Sequence, residues 1–367
     1  MKNRIILWLI PCMVLLNTSC EDDFLENTPT DAISANDALA TNANMALIIE
    51  GLHRAMYQNL PPGSTNSRNG QSYFVPADDA ITGNVIRTGP GFGWMQPELQ
   101  WLAHTEVTGL TVFNAWYQRY HIIASASEII NETEGVPVDP ELATILGQAH
   151  AYRAWAYLQL ITHFARGYLI GNPATDPGVP LLTGTEPPYE SGPRAPVQAI
   201  YDQMNADIDQ AIVLLAQANS RPNKSHLNLN VAHGIRARIA LNSGDWAAAA
   251  ESARLARDGF PLMTEAEWKS GFNDAGLPEA IWASTIIETE SNGFASYFYY
   301  ICNNFNGGET RGNPKAFNNL IWDQVPDTDW RKDVVLPLAP NTNPSATNDE
   351  GGSAATDPNY DDQERFE

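Results

Sequence analysis

Cysteine is scarce in this chain. Three occur in 367 residues, Cys12, Cys20 and Cys302. The first two lie within or just after an N-terminal apolar run, so Cys302 has no partner for an internal disulfide. Disulfides therefore contribute nothing to the fold, and Cys302 reads as a small packed hydrophobe. Basic side chains are also few, 21 Lys and Arg against 43 Asp and Glu, for a formal net charge of −22. A surface this acidic repels nucleic acid and anionic lipid headgroups. A neutral ligand such as a sugar meets no electrostatic penalty there. A membrane-spanning stretch is missing as well, because the apolar run from Ile5 to Leu16 has 12 residues and a span needs roughly 20. Catalytic signatures are absent: no Gly-x-Ser-x-Gly elbow, no His-Glu-x-x-His, no Walker loop and no Cys/His metal spacing. The glycine-rich Gly89–Gly93 is interrupted by Pro90, and no helix-starting pattern follows it closely. The acidic pairs Asp78-Asp79 and Asp361-Asp362 have the composition of a glycosidase acid and base, but in so acidic a chain they read as solvated. Asp327-Thr328-Asp329 and the Asn/Asp-rich 341–349 offer oxygen ligands for Ca²⁺ without EF-hand spacing. No catalytic residue, cofactor or metal is assigned.

What is present begins at the N-terminus. Met1-Lys2-Asn3-Arg4 is a basic n-region, Ile5–Leu16 an h-region, and Asn17-Thr18-Ser19 the small or polar residues before a cleavage point. The next residue is Cys20, followed by Glu21-Asp22-Asp23, which is the plan of a bacterial lipoprotein signal. The expected organisation is a signal over 1–19, a tether over 20–35 lipidated at Cys20, and one folded domain over 36–367. Loss of Lys2 and Arg4 takes the basic count from 21 to 19 against 43 acidic residues, a charge of −24.

Apolar residues at helical spacing predict a first helix from Asn36-Asp37 to Tyr57, stopped by Pro61-Pro62-Gly63. Further helices are predicted over Val112–Ile130, Pro140–Phe164 and Ala195–Ala216. A hairpin follows, with helices Asn230–Leu241 and Trp246–Arg257 joined by Asn242-Ser243-Gly244-Asp245. Its alanine-rich second helix and Pro261 beyond resemble a tetratricopeptide unit, without a fixed period. Residues 63–105 read as a long irregular segment, 166–194 as a Pro/Gly-rich loop holding the β-prone Gly178–Leu182, Glu279–Ala283 as strand-like, and Pro314–Ile321 as a short helix. The fold class is mostly α, with helical hairpins and long irregular loops. Trp116, Tyr117, Tyr152, Trp155 and Tyr157 are assigned to the core. His121, His150, His163 and His233 are assigned to satisfied core or surface positions.

Four segments, in order, resemble the SusD/RagB family of outer-membrane nutrient-binding lipoproteins. They are Cys20–Glu26 with Pro29; Leu146–Tyr157 followed by Gly178–Leu181; Tyr201–Ile208 leading into Ala211-Ile212; and Ala237–Leu241 with Gly244-Asp245-Trp246. The similarity covers essentially the whole mature chain. It departs from the family at Phe164–Gly167, where a Tyr-Gly turn is usual, and at the end, since family members continue past Glu367 with further helices. The resemblance implies a SusD-like α superhelix, here expected to lack its C-terminal helices. It also implies non-catalytic capture of an oligosaccharide or similar nutrient at the outer membrane of a Gram-negative bacterium. Delivery would be to a TonB-dependent transporter of the SusC type. A helical-repeat protein-interaction or adhesin lipoprotein is the alternative, and a surface hydrolase the third.

A sugar site needs a flat aromatic face for the C–H side of a pyranose, and planar polar groups for its hydroxyls, displayed on loops. Two regions supply that mix. The 73–104 segment gives Tyr73, Asp78, Asp79, Asn84, Arg87, Trp94 and Trp101; the 294–306 segment gives Tyr297, Tyr299, Tyr300, Asn303 and Asn304. Trp94 is the leading candidate, because glycines and Pro90 just before it point to an exposed loop.

Overall fold

The computed structural model describes residues 35–58, 69–87, 93–185, 192–272, 274–287, 296–297, 300 and 315–334. Cys20, Tyr299, Cys302, Asn303, Asn304, the signal and tether segments, the 341–349 stretch and Asp361-Asp362 lie outside them. In chain order the elements are α1 (Ala35–Leu39), α2 (Asn42–Ala55), α3 (Gln71–Thr82), β1 (Val85–Arg87), α4 (Gln96–Leu99), α5 (Leu110–Glu132), α6 (Pro140–Phe164), β2 (Pro177–Pro180), β3 (Arg194–Pro196), α7 (Val197–Leu215), α8 (Leu229–Ser243), α9 (Trp246–Ala256), α10 (Glu265–Lys269), β4 (Lys315–Phe317) and α11 (Asn319–Trp322). The expected mostly α fold is what forms.

The axis of the molecule is α6. Asp139 caps it by accepting from the Leu142 N–H at 2.8 Å, and Pro140 occupies its first turn. Every residue from Ala151 to Leu158 is buried, so the helix is enclosed rather than amphipathic. The elements α2, α5, α7 and α8 pack around it. Polar side chains inside this shell are paired. Arg153 donates from Nε to Asp207 Oδ2 at 2.9 Å and from Nη2 to Oδ1 at 2.6 Å. His150 on α6 lies 2.8 Å from Asp207 Oδ1, Gln203 on α7 donates to Oδ2 at 3.0 Å, and Arg153 also donates to Ser127 on α5. Three helices are thereby fixed in register. The β2 segment is held to the same axis: Tyr157 donates to the Leu182 carbonyl at 2.6 Å and Tyr120 to that of Pro180 at 2.7 Å.

The hairpin α8–α9 turns where predicted. Gly244 adopts φ 83° and Asp245 caps α9 through the Ala248 N–H. Small residues Ala249, Ser252 and Ala256 form the buried face of α9.

Several expectations are corrected. The predicted first helix is split at Ala40-Thr41, where the Thr41 hydroxyl accepts from the Asn44 N–H and starts α2 anew. Residues 71–82, expected within an irregular segment, form α3 with Pro76 inside it. Proline costs an interior helix turn about 3 kcal/mol. Burial of Tyr73, Phe74, Pro76, Ala77 and Ala80 outweighs that cost. Residues 315–317, expected to be helical, instead pair antiparallel with β1, Phe317 opposite Val85 and Lys315 opposite Arg87. Asn318 then caps α11. Glu279–Ala283 forms no strand; Trp282 and Ala283 instead donate to the carbonyls of Ser225 and Lys224.

The start of α3 depends on one glycine. Gly70 has φ 56°, and a Cβ there would lie 2.5 Å from the Met56 carbonyl oxygen and 2.8 Å from that of Ala55. These are backbone atoms that cannot swing aside. Gly70→Ala is expected to lower stability by at least about 2 kcal/mol. A urea midpoint equal to that of the parent chain would contradict this.

Candidate functional site

The aromatic candidates Tyr73, Trp94, Trp101 and Tyr300 divide into a buried cluster and one exposed indole. Tyr73 and Tyr300 are buried, with rings 5.5 Å apart and nearly perpendicular. Trp94 is half-buried and leans on Tyr300, centroids 5.7 Å apart. Phe74, Ala77, Met95 and Ala115 complete this cluster. Beneath it Arg119, fully buried, lies 4.0 Å over the Phe74 ring and donates to Gln118 Oε1. Burial pulls its guanidinium down to about 9, against the opposite pull of Asp78, so it stays charged at neutral pH.

Trp101 has the opposite placement. It is 63% exposed, and its backbone is strained. Met95 (φ 54°) and Trp101 (φ 57°) are the non-glycine residues with positive φ among the described ones, and they bracket α4. Such conformations cost about 1–3 kcal/mol each and persist only where the surroundings impose them. Between them lies Glu98, 1% exposed. Its Oε1 accepts from Tyr73 on α3 at 2.9 Å and from Thr111 on α5 at 2.7 Å. Burial, then the Glu98 charge, pushes the Tyr73 phenol well above its ordinary value, so it remains a donor. The turn is closed by Trp101 N–H to the Glu98 carbonyl and Leu102 N–H to that of Pro97.

Beside this turn, residues 103–105 pack on α5. The outer face of α5 carries Leu110, Phe113, Tyr117 and His121 at spacings of three and four, which places them in one row. Phe113 and Tyr117 stack at 6.0 Å, and Tyr117 and His121 at 6.3 Å with an interplanar angle of 2°. Phe113 is 50% exposed. Tyr117, assigned to the core from its spacing, is thus on the surface, because α5 packs on one side only. Trp116 is partly buried against Phe164, while Tyr152, Trp155 and Tyr157 are buried as expected.

The acidic candidates have partners within the fold. Asp78 on α3 pairs with His163 Nε2 on α6 at 3.0 Å. Asp79 accepts from Asn84 at 3.2 Å. Arg87 is described through its backbone, opposite Lys315. Asp327 and Asp329 face Lys332 and Arg331, so each carboxylate already has a cation.

A family model described as SusD-like, "starch-binding associating with outer membrane", matches residues 23–241. The chain belongs to the SusD-like family. The SusD-like fold is also that of solved structures. One is a SusD-like carbohydrate binding protein from Bacteroides vulgatus, 22% identical with a TM-score of 0.66, the match covering 80% of this chain and 60% of that one. Another is a SusD superfamily protein from Bacteroides thetaiotaomicron, 18% identical with a TM-score of 0.64, covering 83% and 66%. At these identities the likeness concerns the fold. The chain spans about three-fifths to two-thirds of the length of these structures. No curated protein matches it. Among the described residues no helix is long and apolar enough to cross a membrane.

Proposed function

We propose that this SusD-like chain captures a neutral oligosaccharide at the outer membrane, without cleaving it, and delivers it to a TonB-dependent transporter of the SusC type. Lipid on Cys20 would anchor it, with two or more acyl chains making attachment stable. The observation that carries the reading is Trp101, an exposed indole on a strained backbone in the turn that contains the buried Glu98. Strain of that kind collects at ligand sites, and a fixed indole face loses little entropy when a sugar ring stacks on it. The row from Phe113 to His121 extends the apolar surface. Tyr73, packed on Tyr300, donates to Glu98, whose carbonyl accepts from the Trp101 N–H. Asp78, Arg87 and Asn303 remain the polar candidates for the sugar hydroxyls.

Calorimetric titration of the folded chain with a panel of neutral and acidic oligosaccharides tests this. The expected result is saturable binding of a neutral glycan with an affinity insensitive to added salt, because such a ligand releases no counterions. Flat titrations throughout the panel would count against sugar capture and favour a protein-binding role for the exposed row.

A further inference from the structure

Glu50 and His53 stand one turn apart on α2, in the sequence Glu50-Gly51-Leu52-His53. His226 comes from the loop ahead of α8. One nitrogen from each imidazole and one carboxylate oxygen lie within 4.8 Å of one another. His226 Nε2 is 3.1 Å from Glu50 Oε1, near the edge length of about 3.3 Å expected for a tetrahedron with zinc–ligand bonds of about 2.0–2.1 Å. The two imidazoles meet edge to face with centroids 4.4 Å apart.

His53 is the unusual member. It is 5% exposed. Its Nδ1 lies 2.6 Å from the Tyr152 hydroxyl on α6, while its Nε2 is buried without a hydrogen-bond partner. A bare ring nitrogen in an interior is costly whether it carries a proton or a lone pair. A cation facing that lone pair removes the cost. The Tyr152 contact supplies the outer hydrogen bond that orients metal-bound imidazoles. Glu50, with its side chain 54% exposed, opens the cluster to solvent on one side.

We propose that Glu50, His53 and His226 bind one zinc-class divalent ion, with water completing a tetrahedral shell. Two imidazoles and a carboxylate suit borderline ions such as Zn²⁺, whereas Ca²⁺ and Mg²⁺ seek oxygen ligands throughout. The ion would clamp α2 to the loop that leads into the α8–α9 hairpin.

The test is titration of Zn²⁺ into the untagged full chain, in detergent and stripped with chelator, followed by X-ray absorption at the zinc edge. One ion per chain in a nitrogen and oxygen shell is expected. His226→Ala and Glu50→Gln should each weaken binding at least about tenfold, while His104→Ala, at an exposed position, should not. Glu50 is exposed enough that its glutamine variant folds even where His53→Ala does not. Failure of the folded chain to retain zinc, sulfur in the shell, or unchanged affinity in Glu50→Gln and His226→Ala would overturn the assignment.

Discussion

Asp207→Ala is expected to cost about 3–5 kcal/mol of folding stability, the effect of leaving one member of a buried ion pair alone. Asp207 is 1% exposed and Arg153 5%. Removing the carboxylate strands a guanidinium inside the shell around α6 and strips His150 and Gln203 of an acceptor. The pH dependence carries a sign. Burial alone would raise the Asp207 carboxyl, but hydrogen bonds from His150 and Arg153, the Arg153 charge and Gln203 outweigh it and hold the group below its ordinary value. Its contribution is therefore complete above the unfolded carboxylate value of about 3.9. It fades as pH falls through the lower folded value. Urea denaturation at neutral pH and again in acid reads both effects. The gap between parent and variant should narrow in acid, and a neutral-pH loss under about 1 kcal/mol would sink the argument.

The second large effect separates two tryptophans. Trp101→Ala should weaken glycan binding by roughly 30-fold, the loss of about 2 kcal/mol typical of a central contact. Its denaturation midpoint should stay close to the parent's, since the indole is 63% exposed. Trp94→Ala should do the reverse. It removes a ring packed on Tyr300 and should cost about 2–3 kcal/mol of stability. Trp101→Gly adds a control, because glycine accepts φ 57° without steric cost. That variant should lose the affinity yet fold at least as well as the alanine variant. Equal affinity in parent and Trp101→Ala would remove Trp101 from the site.

The sequence carries the strong helices nearly to the residue, and α6 starts and stops where its cap and its apolar pattern say. It also carries the segments of family likeness, but not their purpose. Arg153 belongs to one and Asp207 to another, and only the folded chain brings them together as an ion pair. What was illegible depended on distant partners. Residues 315–317 become a strand because Val85–Arg87 is there to pair with. Gly70, Pro76 and polar neighbours hide α3, whose burial comes from packing that no local pattern encodes. The same holds for the site. Glycines before Trp94 suggest exposure, but Tyr300 covers it, while nothing adjacent to Trp101 announces its left-handed backbone. Glu50 and His53 meet His226 only in the folded chain, and no local spacing announces the three together.

The narrow alanine-lined hairpin has a consequence for how the molecule breathes. α9 rests chiefly on α8, through three small side chains, whereas α6 is enclosed on every side. Little apolar area resists the lifting of α9, so its amides exchange hydrogen through brief local openings. Those at the centre of α6 exchange only when the whole domain unfolds. Among the described helices α9 is thus compliant where the centre of α6 is rigid.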